Sequence, residues 1–239
     1  MPLRSFSNVL NAIPTLGLLV GLYATTSGSL VFAGDVPVVQ GSALTHRAQV
    51  DGLSGQVYIY VGGSLPAGTN LRSFQFLFDF SNAGNTTGYI TPVLFYRSPG
   101  ELYAIYTVAG IGKGFEVAMN SAPQAIPFDL IEGIEVPTAD GKFTFGYINA
   151  LVNSSGVPVA ISPGTVDYDN PGDGGQGVAG AGTTNDWVAT DVAATQPSPV
   201  VTLGTTFSVG TQTDYNFATY DSTVVRTYSA LATGILATQ

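Results

Sequence analysis

The residues best equipped for chemistry in this chain are carboxylates, and they gather in one stretch. Between Ser162 and Asp191 lie Asp167, Asp169, Asp173, Asp186 and Asp191, with no Lys or Arg among them. A hard cation such as calcium takes several oxygens from carboxylates, amides and main-chain carbonyls. The run Asp167-Tyr-Asp169-Asn170-Pro-Gly-Asp173-Gly-Gly offers such oxygens on a backbone that glycine leaves free to wrap. Asp167, Asp169, Asn170 and Asp173 therefore form a candidate calcium loop. The spacing departs from the EF-hand pattern, because Pro171 stands where the third side-chain ligand belongs and no Glu closes the loop. The alternative is a solvated acidic surface loop, in keeping with a chain of net charge −9. The cofactor expectation is none, or calcium.

Other catalytic arrangements fail on residue counts. There is no cysteine, which removes thiolate nucleophiles, disulfides and Cys-based zinc sites together. His46 is the sole histidine, so a two-His metal site is impossible, and no G-x-S-x-G elbow accompanies it. The stretch Gly110-Ile-Gly112-Lys113-Gly114 fits neither phosphate-loop template and predicts a turn between two strands. A glycoside hydrolase needs only two carboxylates, and Glu101, Glu116, Glu132, Glu135 and Asp79 are available. The expectation is a non-enzyme, with a carboxylate-based glycoside hydrolase as one alternative.

Binding is the remaining chemistry. Of 13 Phe, 12 Tyr and one Trp, alternation places Tyr58, Tyr60, Tyr103 and Trp187 outward, where flat rings stack on sugars. Trp187, Tyr58 and Tyr60 thus form a candidate carbohydrate face, giving a second alternative, a carbohydrate-binding module with a calcium loop. Asn85-Thr-Thr87 and Asn153-Ser-Ser155 are formal N-glycosylation acceptors.

The elements that must position these residues are strands. Phe74, Phe76, Phe78 and Phe80 alternate with Gln75, Leu77 and Asp79, and Phe143, Phe145 and Tyr147 repeat the pattern. Further alternating segments are 56–61, 89–96, 102–108, 115–119, 157–161, 187–190, 200–203, 207–209, 215–220 and 224–235. Turn residues separate them about every 8–12 residues, which predicts an all-β, jelly-roll-like single β-sandwich of about 10–12 strands. Residues 123–135 fit a short helix or an irregular crossover. The composition agrees: only 10% of residues are charged, and Glu and Lys, which long helices favour, are scarce.

Residues 1–33 differ from the rest. Arg4 precedes the apolar core Leu16–Ala24, and Val31 and Ala33 occupy the −3 and −1 places of a cleavage site. The core is about half the ~20 residues a membrane span requires. The domain expectation is therefore 1–33 as signal peptide or retained hydrophobic segment, and 34–239 as the sandwich. The acidic balance offers no grip on nucleic acid or on anionic membranes.

Three stretches, Asn85-Thr-Thr-Gly-Tyr-Ile-Thr-Pro-Val-Leu-Phe95, Tyr106-Thr-Val-Ala-Gly-Ile-Gly112 and Arg226-Thr-Tyr-Ser-Ala230, resemble secreted bacterial β-sandwich proteins of the PEP-CTERM (exosortase-associated) kind. The resemblance spans residues 36–232 and implies export to the extracellular matrix, with no catalytic residues. The chain closes on Gly234-Ile-Leu-Ala-Thr-Gln239 and lacks the Val-Pro-Glu-Pro motif of that tag, so tag sorting is not implied.

The leading expectation is an extracellular structural or adhesive surface protein that partners itself or extracellular polysaccharide. The charge-poor stretch 228–238, with Tyr228, Leu231 and Ile235, is a candidate assembly strand that would complete a neighbour's sheet.

Overall fold

A computed structural model describes residues 35–47, 57–78, 87–99, 103–119, 122–138, 142–162, 166, 168–169, 187–190, 200–210 and 227–236. Pro37–Leu236 form one compact unit, and the 1–33 segment lies outside the described residues. Among those residues there is no helix, and the fold is all-β and sandwich-like, as the alternation predicts.

The strands follow in order. The first eight are β1 (Val36–Gly41), β2 (Val57–Tyr60), β3 (Thr69–Phe76), β4 (Thr87–Pro99), β5 (Tyr103–Gly112), β6 (Phe115–Ala118), β7 (Gln124–Pro127) and β8 (Leu130–Gly133). The next four are β9 (Phe143–Ile148), β10 (Ala150–Val152), β11 (Pro158–Ile161) and β12 (Tyr168–Asp169). The last are β13 (Trp187–Thr190), β14 (Thr206–Gly210), β15 (Thr227–Tyr228) and β16 (Ala230–Leu236). A four-stranded sheet runs β1-β16-β3-β7, and a larger one runs β13-β2-β9-β4-β5-β14, with β6 on β4 and β8 on β5. β10-β11 and β12-β15 are two-stranded pairs.

The core between the two large sheets is aromatic. Phe74 and Phe76 of β3 face Tyr58, Tyr60, Phe145 and Tyr147 of the larger sheet, all buried. Leu94 and Phe143 extend this layer toward Leu65, Val38 and Val136. Alternation along β2 and β9 sends the other residues to the opposite face. There Val57, Ile59 and Ile148 join Val93, Phe95, Tyr106 and Val201 in a second core. The centre of the larger sheet is therefore buried on both faces, and every residue of β2 and β9 is enclosed.

Close approach of the central strands depends on Gly146. A Cβ there would lie 2.1 Å from the carbonyl oxygen of Tyr58 and 2.7 Å from the Phe95 ring.

Residues 110–114 are not the turn predicted from their glycines. Val93 pairs with Ile111 and Ile90 with Phe115, so β5 and β6 follow the same edge of β4 in nearly continuous register. Lys113 and Gly114 form a bend rather than a reversal. The reason is steric: a Cβ at Gly112 would meet the Pro92 carbonyl at 3.0 Å, and one at Gly114 would meet Leu151 and Thr91 at 2.8 Å. The bent hairpin carries Ile90 and Met119 onto Phe78 and so caps the aromatic core.

Residues 123–135 take the crossover alternative rather than the helix, with β7 and β8 on either side of a passage between sheets. Residues 200–203 are not a strand but lead into a turn closed by the Thr205 N–H donating to the Thr202 carbonyl at 3.0 Å; Val201 is buried, its N–H donates to the Gly156 carbonyl, and Gly204 adopts φ 83.

Two outcomes test this packing. Trp187→Ala removes a fully buried indole, and urea unfolding should show a loss of about 3–5 kcal/mol. Burial raises the pKa of the Tyr106 hydroxyl above its ordinary 10.0, opposed in part by Arg97. The folded state thus holds this proton longer than the unfolded chain does. The resulting stability is intact below the unfolded value and is lost as pH rises through the raised one. Tyr106→Phe cannot ionise, so its Tm should fall less than wild type from about pH 9 to about pH 11.

Candidate functional site

The aromatics expected to face solvent are instead the centre of the core. Trp187 and Tyr58 are fully buried and Tyr60 nearly so. The Trp187 ring meets the edges or faces of Tyr60, Phe145, Tyr147 and Tyr228 at centroid separations of 5.3, 5.3, 5.7 and 6.2 Å. Its indole N–H donates to Ser42 Oγ at 3.1 Å. Asn149, buried beneath, donates to the Tyr58 hydroxyl at 3.3 Å. The physical reason is the second sheet: β3 and β16 cover the face on which these rings stand, so no carbohydrate platform exists there.

The candidate assembly strand is corrected in the same way. β16 lies between β1 and β3, and its ladder with β3 runs from Ala230↔Phe76 to Leu236↔Thr69. Tyr228 is buried, while Leu231 and Ile235 are half-buried on a strand whose two edges are already paired. Arg47 ties the strand's entry down, its Nε–H donating to Ser229 Oγ at 2.8 Å.

Of the candidate calcium ligands, Asp167, Asn170 and Asp173 lie outside the described residues. The backbone of Asp169 pairs with Thr227 in β12-β15. Among the described residues no group of three His, Asp or Glu could hold a metal ion. His46 is exposed on the segment after β1.

What the structure does bring together is a groove that sequence reading missed. β7 pairs with β3 only over Ser73–Phe76 and ends at Pro127. The chain then leaves the small sheet, and β8 joins β5 on the larger one. This crossover leaves a gap beside Thr69–Arg72, closed at one end by the Phe128 N–H donating to the Arg72 carbonyl at 3.0 Å. The resulting cavity of about 290 Å³ has Leu71, Leu94, Leu130 and Val136 as apolar floor and wall. Its polar lining is Asn70, Arg72, Asp129 and Glu135, all exposed residues. Lys113 anchors the crossover, its N–H donating to the Asp129 carbonyl at 2.8 Å.

Such a lining offers donors from the guanidinium, acceptors from two carboxylates, and both from the amide. Glu135 had been available as a carboxylate in the sequence. Its partners come from positions 69–72, 94 and 128–130, which only the crossover unites.

Comparison with protein families, curated proteins and solved structures returns no match.

The burial of the lone Trp187 has a direct optical consequence. Its emission should be blue-shifted and little quenched by iodide in the native state, and saccharides should leave it unchanged. Strong native-state quenching would contradict the core position of the ring.

Proposed function

We propose that this chain is an exported structural or adhesive component of a cell surface or extracellular matrix. On this reading its sandwich holds extracellular polysaccharide in the groove beside Thr69–Arg72. The observation that carries the reading is the lining of that groove, in which Asn70, Arg72, Asp129 and Glu135 surround an apolar floor. Sugar hydroxyls donate to carboxylates and accept from guanidinium and amide groups, while sugar C–H faces rest on aliphatic side chains. The volume sits at the lower end of the roughly 300–1,000 Å³ typical of small-molecule sites, which suits one or two rings of a longer chain. The resemblance to secreted bacterial β-sandwich proteins points the same way.

Binding is favoured over cleavage. A glycosidase keeps its acid in an apolar enclosure, and both groove carboxylates stand on exposed residues. Two carboxylates still share one groove, which is the observation favouring the hydrolase reading. Release of new reducing ends from a bound polysaccharide would decide for hydrolysis.

The direct test is saccharide binding by the full chain on a glycan array, followed by titration of the best ligand. Arg72→Ala and Glu135→Gln should each weaken binding by about tenfold or more, as loss of a hydrogen-bonding partner does. Glu116→Gln, on β6 and away from the groove, should leave it unchanged. A flat array profile for wild type, or equal affinity in all three variants, would overturn the proposal.

A further inference from the structure

The surface carries a second feature, independent of the groove. Val157, just before β11, and Val159 and Ile161 within it occupy alternate positions and are 40%, 63% and 41% exposed. Beside them the 200–203 segment presents Val200 and Leu203, 50% and 40% exposed. The two segments are joined, because the Val201 N–H donates to the Gly156 carbonyl at 2.9 Å and Gly156 packs against Val201 and Thr202. Five aliphatic side chains thus lie on adjoining segments of one surface. Contiguous exposed apolar surface of this kind marks an interaction site.

Charge says what the occupant is. No Asp, Glu, Lys or Arg occurs from Phe143 to Val166, nor from Val192 to Thr213. The whole chain carries −9, so two copies repel one another wherever their acidic surfaces meet. A face built from the described, uncharged parts of these segments lets copies approach at low electrostatic cost. The other exposed aliphatics make the contrast. Ile131 and Ile134 are interleaved with Asp129, Glu132 and Glu135, which would oppose a second acidic copy.

The geometry also sets the mode of contact. Pro158 has no N–H to give, and the β10-β11 register slips between Leu151 and Val152, so that Val159 is the extra residue on β11. Both features blunt a strand edge against ladder extension. Contact therefore goes through side chains, face to face.

We propose that the face formed by Val157, Val159, Ile161, Val200 and Leu203 is a homotypic docking surface whose occupant is the same face of a second copy of this chain. A contact of a face with itself closes as a two-fold pair. Five aliphatics form only the centre of an interface, since a stable one buries about 800 Å² per partner. Association is accordingly concentration-dependent. It strengthens with salt, which screens the repulsion between acidic copies.

Sedimentation velocity of the full chain over a concentration series, at low and high salt, tests this. Wild type should shift from monomer to dimer, more readily at high salt. Val159→Asp and, on the neighbouring turn, Leu203→Asp should each weaken dimerisation by about tenfold or more, with circular dichroism and Tm unchanged. Ile131→Asp should leave it intact. The proposal is overturned if wild type is monomeric at every concentration and salt. It is equally overturned if Val159→Asp and Leu203→Asp, shown folded, dimerise as wild type does, or if Ile131→Asp is as disruptive as they are.

Discussion

The fold depends on one layer of aromatic rings between two sheets. With no cysteine to cross-link the chain, stability comes from burial, and aromatic side chains bury the most area per residue. Tyr58 stacks on Tyr147 at 4.6 Å with 10° between planes, and Tyr60 on Phe145 at 5.2 Å. Phe74 reaches across from the small sheet to Tyr147 at 5.0 Å. Trp187 and Tyr228 close the layer edge-on. These rings come from β2, β3, β9, β13 and the end of β15, segments far apart in sequence. The layer therefore both seals the sandwich and fixes which strands pair.

Placing the rings inside has a consequence for function. Tyrosine and tryptophan supply the hydroxyls and N–H groups that binding sites commonly use, but here Trp187 and Tyr58 are turned inward and bonded within the core. Trp187 donates to Ser42, and Asn149 donates to Tyr58. Recognition is left to the margins, where the packing of one sheet on the other is interrupted. The groove exists because Pro127 ends the β7 ladder and the chain must cross to β5. The exposed aliphatic face exists because β10-β11 is a short pair outside both large sheets.

Much of the architecture could be read from alternation, and the errors have a common cause. Phe74–Phe78 and Phe143–Tyr147 announce strands with one aromatic face, and both are buried as expected. Alternation gives parity within a strand, but it does not say how many faces of a sheet are covered. Tyr58 and Tyr60 alternate with Val57 and Ile59, so parity alone suggests one outward face, yet the tyrosines stand in the aromatic core and the aliphatics in the second core. The same gap hid the setting of β16, whose uncharged sequence suits a free edge as well as a central strand. Only pairing with β1 and β3 decides between them. The glycines at 110–114 signalled a turn because local sequence cannot show that Pro92 and Thr91 approach from across the ladder. The groove left no local trace, since Arg72 and Glu135 come to line one groove only through the crossover.

The two proposed surfaces answer different physical demands on an acidic chain. A shallow groove with exposed polar groups competes with water for each hydrogen bond, so a single site binds a sugar weakly. Linking sites raises avidity by orders of magnitude without any new contact to the ligand. A net charge of −9 works against bringing copies together, and an uncharged aliphatic face removes that obstacle at one place on the surface. Blunting the β11 edge with Pro158 and a bulge limits growth by strand addition. Association is then confined to closed pairs. If both proposals hold, the chain gains two grooves per particle while its acidic remainder keeps the particles apart.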